Sequence, residues 1–236
     1  MTKLTTTVIV ALMVMALAIT SASAATSVEV RGTVFDANSA SYEINATNFA
    51  GFYYDLDDDI STETMTILSD LTNSDRSIGE NELVYTTTIE GVDYTSDNFD
   101  GQFNVMGLFA EKYIPLTDTT PDKLSKLLLD SDDKYTLRTG TALELPEGYA
   151  LTAKQIDVEG DKVWVEFTKD GEFVEDEILD VSNGTVVWTY EADDVADEDD
   201  VPVLKVAVTN VFQGQVDSLA VVEGVWLMDY ENVLEI

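Results

Sequence analysis

The chain has 236 residues, 46 of them acidic against 12 basic, for a formal charge of −34 with neither cysteine nor histidine. Nucleic acid and anionic membranes repel so negative a surface and are excluded as main partners, whereas cations, cationic partners or a saline medium suit it. Without Cys or His there is no thiol nucleophile, no His-containing triad and no Cys/His zinc site.

The first 24 residues read as a cleaved signal peptide. Lys3 gives a positive start, residues 8–19 (VIVALMVMALAI) form a short apolar run, and Ala22 and Ala24 stand at −3 and −1 of a cut after Ala24. The run is shorter than the roughly 20 residues a membrane anchor needs. No other stretch is long and apolar enough to span a bilayer, so the mature chain is expected to carry no membrane span.

Past the cut the dominant period is two. Val28, Val30 and Val34 alternate with polar neighbours over 27–35, as in a strand with one buried face. Turn signals follow at Glu90-Gly91 and Asp100-Gly101. Pro115 and Pro121 flank a Thr- and Asp-rich stretch that reads as a domain boundary. Thr120-Pro121-Asp122 suits the start of a short helix through Leu129, while Leu127-Leu128-Leu129 suits a buried strand equally well. From 149 to 190 the pattern is a meander: strands near 149–157, 162–169, 172–179 and 185–190, with turns at Glu159-Gly160-Asp161, Asp170-Gly171 and Asn183-Gly184. Another alternating strand covers 203–208. Many short strands at close spacing predict an all-β protein of two linked β-sandwich domains, 25–120 and 121–236, with a return of the C-terminal strand to the first domain left open.

Three acidic clusters are candidates for hard cations, which take six to eight oxygen ligands. They are residues 55–59, residues 130–133, and the run from Asp193 to Asp200. None has EF-hand spacing, and charge runs usually face solvent. Asp55, Asp57, Asp58 and Asp59 are the best metal candidates, for Ca²⁺ or another divalent cation, because the aromatic segment 49–54 sits beside them. The run at 193–200 reads as a mobile loop. Asn45-Ala46-Thr47 and Asn183-Gly184-Thr185 are glycosylation sequons, Asn183 at an expected hairpin tip and Asn45 in a strand-like run. Trp164 and Trp188 lie in alternating runs and are expected in the core rather than on a sugar-stacking platform; Trp226 stays open. No motif nominates a catalytic residue or a cofactor site.

Several segments resemble the tandem-repeat domain of S-layer (surface-layer) proteins of methanogenic archaea. They include residues 30–36 (VRGTVFD), 45–59 (NATNFAGFYYDLDDD) and 124–134 (LSKLLLDSDDK), with shorter matches at 143–149, 162–164, 201–203 and 210–214. The resemblance implies two linked β-sandwiches that tile a porous, glycosylated coat around the cell, with the chain itself or a larger S-layer subunit as partner. Coat-forming relatives are expected to carry two such modules, a threonine-rich tether and a C-terminal membrane helix. This sequence has one module and runs to Ile236, which fits an accessory subunit or a secreted relative. A structural cell-envelope protein is therefore the leading expectation. A secreted binding module for sugars or a cationic partner comes next, and a carboxylate-based hydrolase is the minority reading.

Overall fold

The computed structural model describes residues 42–68, 78–118 and 121–236. The signal peptide read over 1–24 and the strand read over 27–35 lie outside them. Among the described residues the protein is all-β, with sixteen strands, one short 3₁₀ turn and no α-helix.

Strands β1 (Tyr42–Asn45), β2 (Glu63–Ile67) and β3 (Leu83–Thr87) form an antiparallel sheet in that order. A second sheet follows from β4 (Glu90–Asp93), β5 (Gln102–Leu108), β6 (Glu111–Pro115) and β7 (Lys123–Ser125), each pairing with the next. Glu90-Gly91 therefore does not turn. Gly91 sits inside β4 opposite Asn104, where a Cβ would stand 2.7 Å from the Gln102 side chain, so glycine serves a close approach here. The stretch with two open readings resolves to strand: β8 (Leu127–Arg138) carries all three leucines and Asp130 to Asp133. This second acidic cluster thus belongs to a strand and not to a loop.

After β9 (Ala142–Glu144) and the 3₁₀ turn Pro146–Gly148, strands β10 (Tyr149–Asp157), β11 (Lys162–Lys169) and β12 (Glu172–Asp180) make the expected meander. They give a sheet of order β12-β11-β10-β9. Asp170 and Gly171 both have positive φ, as a two-residue hairpin of matching twist requires.

The meander ends one strand earlier than the sequence suggests. β13 (Val186–Ala192) leaves for another sheet, ordered β13-β14-β15-β8, with β14 (Val201–Gln213) and β15 (Ser218–Met228). Asn183-Gly184 is accordingly a corner between sheets and not a hairpin tip. Buried Val181 fixes the corner: its N–H donates to Asp161 O at 2.8 Å, and Gly184 N–H closes the turn onto Val181 O at 3.1 Å. Last, β16 (Leu234–Glu235) pairs with β7 and joins the sheet of β4 to β7.

A continuous buried cluster takes in Val92, Phe103, Val105 and Ile114 together with Tyr149, Val163, Val165, Phe167 and much of β14 and β15. Period-two alternation drives it. Val163, Val165 and Phe167 are fully covered, while Lys162, Trp164 and Glu166 point the other way. Trp188 and Trp226 are core residues, the latter edge-on to Tyr94 and Phe103. Trp164 is not: it is 38% exposed on the outer face of β11. Its parity with Lys162 and Glu166 decides this, against the expectation of core packing.

Candidate functional site

The aromatic segment 49–54 and the acidic loop 55–59 form one structure. Asp55 and Ile60 bridge across the loop, exchanging N–H···O bonds of 2.9 and 3.2 Å. Asp59 takes positive φ, which Asp tolerates better than most residues. Asp55 Oδ1 accepts the N–H groups of Asp57 (3.1 Å) and Asp58 (3.4 Å), an Asx-type turn built from the loop's own carboxylate. Its Oδ2 accepts the Tyr53 hydroxyl at 2.7 Å and Lys112 Nζ at 3.2 Å. The Tyr53 bond, aided by Lys112 and the two loop N–H groups, holds the Asp55 carboxyl down at about 2 despite some burial. Burial and the same bond to Asp55 push the Tyr53 hydroxyl well above its ordinary range. Tyr54 donates to Asp59, which raises its hydroxyl too.

Asp55, Asp57 and Asp58 line one side of an open groove of about 370 Å³. Asp93 at the end of β4, Tyr94 and Thr95 just past it, Asp130 of β8 and Lys112 of β6 also line it. Asp130 accepts the Thr95 N–H on both oxygens, and burial raises its carboxyl above the usual range. Five carboxylates thus face one lysine. Of the metal candidates, Asp55, Asp57 and Asp58 share the groove, and Asp59 turns to Tyr54. Both Asp55 oxygens already accept protein donors. Among the described residues no three acidic side chains converge closely enough to chelate an ion. The groove is suited to gathering cations by its field rather than to fixing one in a cage.

Beneath it lies a group the sequence did not single out. Glu63 is fully buried in β2, with no ion-pair partner among the described residues. Its carboxylate accepts Tyr53 N–H at 2.6 Å, the Tyr85 hydroxyl at 2.6 Å and Ala110 N–H at 3.1 and 3.2 Å. Burial and the bond to Glu63 push the Tyr85 hydroxyl up to about 12. Gly107 admits the carboxylate, since a Cβ there would stand 3.0 Å from Glu63 Oε2, Thr62 Oγ1 and Tyr53 Cβ. Glu63 thereby ties the three-stranded sheet, the aromatic segment and the β5–β6 turn into one support for the acidic loop. No local motif announces such a hub; only the fold brings residues 53, 63, 85 and 110 together.

The acidic run 193–200 is anchored, which corrects its reading as a mobile loop. Val195 is buried and bridged to Glu198, and Lys123 Nζ meets Glu198 at 2.8 Å. The two sequons differ in exposure. Asn45 ends β1 half-buried, with its Oδ1 accepting both the N–H (3.1 Å) and the hydroxyl (2.6 Å) of Thr47. Asn183 and Thr185 are exposed at the β12–β13 corner.

The S-layer protein family model matches residues 34–236, nearly all of the chain past the expected signal peptide. The chain belongs to the S-layer protein family. It is 50% identical to the Major S-layer protein of Methanosarcina barkeri over 96% of its own length and 35% of that relative's. Against the Major S-layer protein of Methanosarcina acetivorans the values are 50%, 96% and 36%, and against that of Methanosarcina mazei 55%, 88% and 31%. This S-layer chain spans about a third of the length of the curated relatives it matches. No helix among its described residues is long and apolar enough to cross a membrane.

Proposed function

We propose that this S-layer chain is a non-catalytic structural module of the cell surface, exported and built into an acidic, porous protein coat with copies of itself or with a longer S-layer subunit. Family membership across 34–236 carries the reading. The relatives' shared name, Major S-layer protein, supports the placement at the surface. The physical work is done by charge. Openings lined by surfaces such as the Asp55–Asp130 groove raise the local cation concentration and turn away anionic polymers. Faces this acidic repel one another unless cations intervene, so divalent ions act as shared counter-charges between neighbouring modules within a screening length of about 10 Å.

Negative-stain electron microscopy of the purified protein tests this, with millimolar Ca²⁺ or Mg²⁺ and again with chelator. Ordered sheets or tubes that dissolve on chelation are expected, either from the chain alone or on addition of a longer S-layer subunit. Dispersed monomers under every condition, with no incorporation into a lattice of the longer subunit, overturn the proposal.

A further inference from the structure

The outer face of the β10–β12 sheet carries a feature that the coat reading leaves unused. Trp164, Ile178, Gln155, Asp157 and Lys162 line a shallow depression of about 200 Å³. Trp164 and Ile178 are direct cross-strand partners, 38% and 60% exposed. The indole N–H donates to Asp176, which fixes the ring's orientation before any ligand arrives. An apolar floor with an amide, a carboxylate and an ammonium around it matches a sugar ring, which has an apolar C–H face and hydroxyls that both donate and accept. The depression has room for one ring. β12 alone bears five carboxylates, Glu172, Glu175, Asp176, Glu177 and Asp180, so a phosphorylated ligand or a second copy of this acidic chain is repelled from it.

A source of such a ring close along the chain is the Asn183 sequon. β12 ends at Asp180, two residues past Ile178; Lys162 pairs with Asp180, and the exposed Asn183 follows in the tight turn closed by Gly184 onto Val181. Asn183 lies five positions beyond Ile178, so their Cα atoms are no more than about 18 Å apart even for a fully extended chain. Among the described residues the Asn183 amide makes only a long contact, 3.4 Å to the Ser182 hydroxyl, and Thr185 is exposed, so the sequon is open to modification. A tether this short gives an effective concentration on the order of millimolar, enough to fill a seat that would hold a free sugar only weakly.

We propose that Asn183 carries a neutral glycan whose proximal sugars fold back onto Trp164 and Ile178. The glycan then covers the apolar Trp164–Ile178 patch of this face and leaves the surrounding carboxylates to solvent.

The protein has three tryptophans, and Trp188 and Trp226 are buried, so emission open to the neutral quencher acrylamide reports on Trp164. Protein purified from its native cells is compared with Asn183→Gln and Thr185→Ala, each of which removes the sequon, after mass spectrometry of the peptide containing residue 183. The expected result is a modified Asn183, an acrylamide-accessible component present in both variants and lost in the glycosylated protein, and no such component in Trp164→Phe. An unmodified Asn183, or equal quenching with and without the glycan, overturns the proposal. Shielding that disappears on dilution also overturns it, because the sugar would then come from a neighbouring copy. None of these outcomes depends on whether the chain forms a lattice.

Discussion

Removing the charge of Glu63 separates two opposing effects whose sizes follow from its surroundings. The carboxylate is fully buried with no cation beside it among the described residues, which alone would make it a burden. Against that it accepts from three groups, Tyr53 N–H, Tyr85 O–H and Ala110 N–H, and hydrogen bonds to an ion contribute about 1.5–3 kcal/mol each. In Glu63→Gln the amide oxygen keeps one or two of these donors, but its NH₂ cannot accept the Tyr85 proton, so one charge-assisted bond goes and a cost of about 2–3 kcal/mol is expected. Glu63→Leu strands all three donors at about 1–3 kcal/mol each, a large part of the roughly 5–15 kcal/mol that holds a domain together. Urea denaturation at pH 7, followed by far-ultraviolet circular dichroism, measures both. At about 2–4 °C per kcal/mol for a chain of this size, Glu63→Gln should also melt roughly 4–12 °C lower. A Glu63→Gln protein as stable as the wild type, or a Glu63→Leu protein that is more stable, would show that desolvation of the charge outweighs its hydrogen bonds and would refute the hub.

Asp55→Asn should cost about 1 kcal/mol at pH 7, a modest figure because the groove is open to screening solvent. The Asp55 carboxyl is depressed in the folded state, so its contribution is complete above the ordinary carboxyl pKa and fades as pH falls from about 4 towards about 2. Melting temperatures of variant and wild type should therefore converge at pH 2 and part at pH 7. Lys123→Ala removes the 2.8 Å contact to Glu198, and limited proteolysis should then cut faster within 193–200 while β10 to β12 stay protected. Phe167→Ala opens a cavity where the ring is fully covered and stacked 5.5 Å from Tyr149; a loss of about 3–5 kcal/mol in urea denaturation is expected.

The strand content was legible because its signal is local. Val163, Val165 and Phe167 alternate, Asp170-Gly171 tolerates positive φ, and β10 to β12 follow from those two facts. The same parity already placed Trp164 with Lys162 and Glu166 on the outer face; the expectation of core packing weighed the residue type over its position. What stayed hidden depends on distant partners. Asn183-Gly184 looks the same whether the next strand turns back or crosses to another sheet, and the burial of Val181 that decides the matter is a tertiary event. Asp55 to Asp59 read plainly as an acidic loop, yet Lys112, which occupies Asp55, lies 57 residues further on. Glu63 gave no sign at all, being one acid among many until Tyr85 and Ala110 close over it.

The position of β15 bears on when the protein can fold. β15 lies between β14 and β8, and its pairing with β8 joins Met228 to Leu127 and Leu219 to Arg138. At about 5–20 residues per second of synthesis, the hundred or so residues from Leu127 to Met228 take about 5–20 s to make. Throughout that interval one edge of β8 has no strand to pair with, and Trp226 is not there to meet Tyr94 and Phe103. Pairing two strands this far apart in the chain is a slow step in folding. The emerging chain thus remains unfinished for seconds, and its core closes only when β15 arrives to pair with β8 and bring Trp226 to Tyr94 and Phe103.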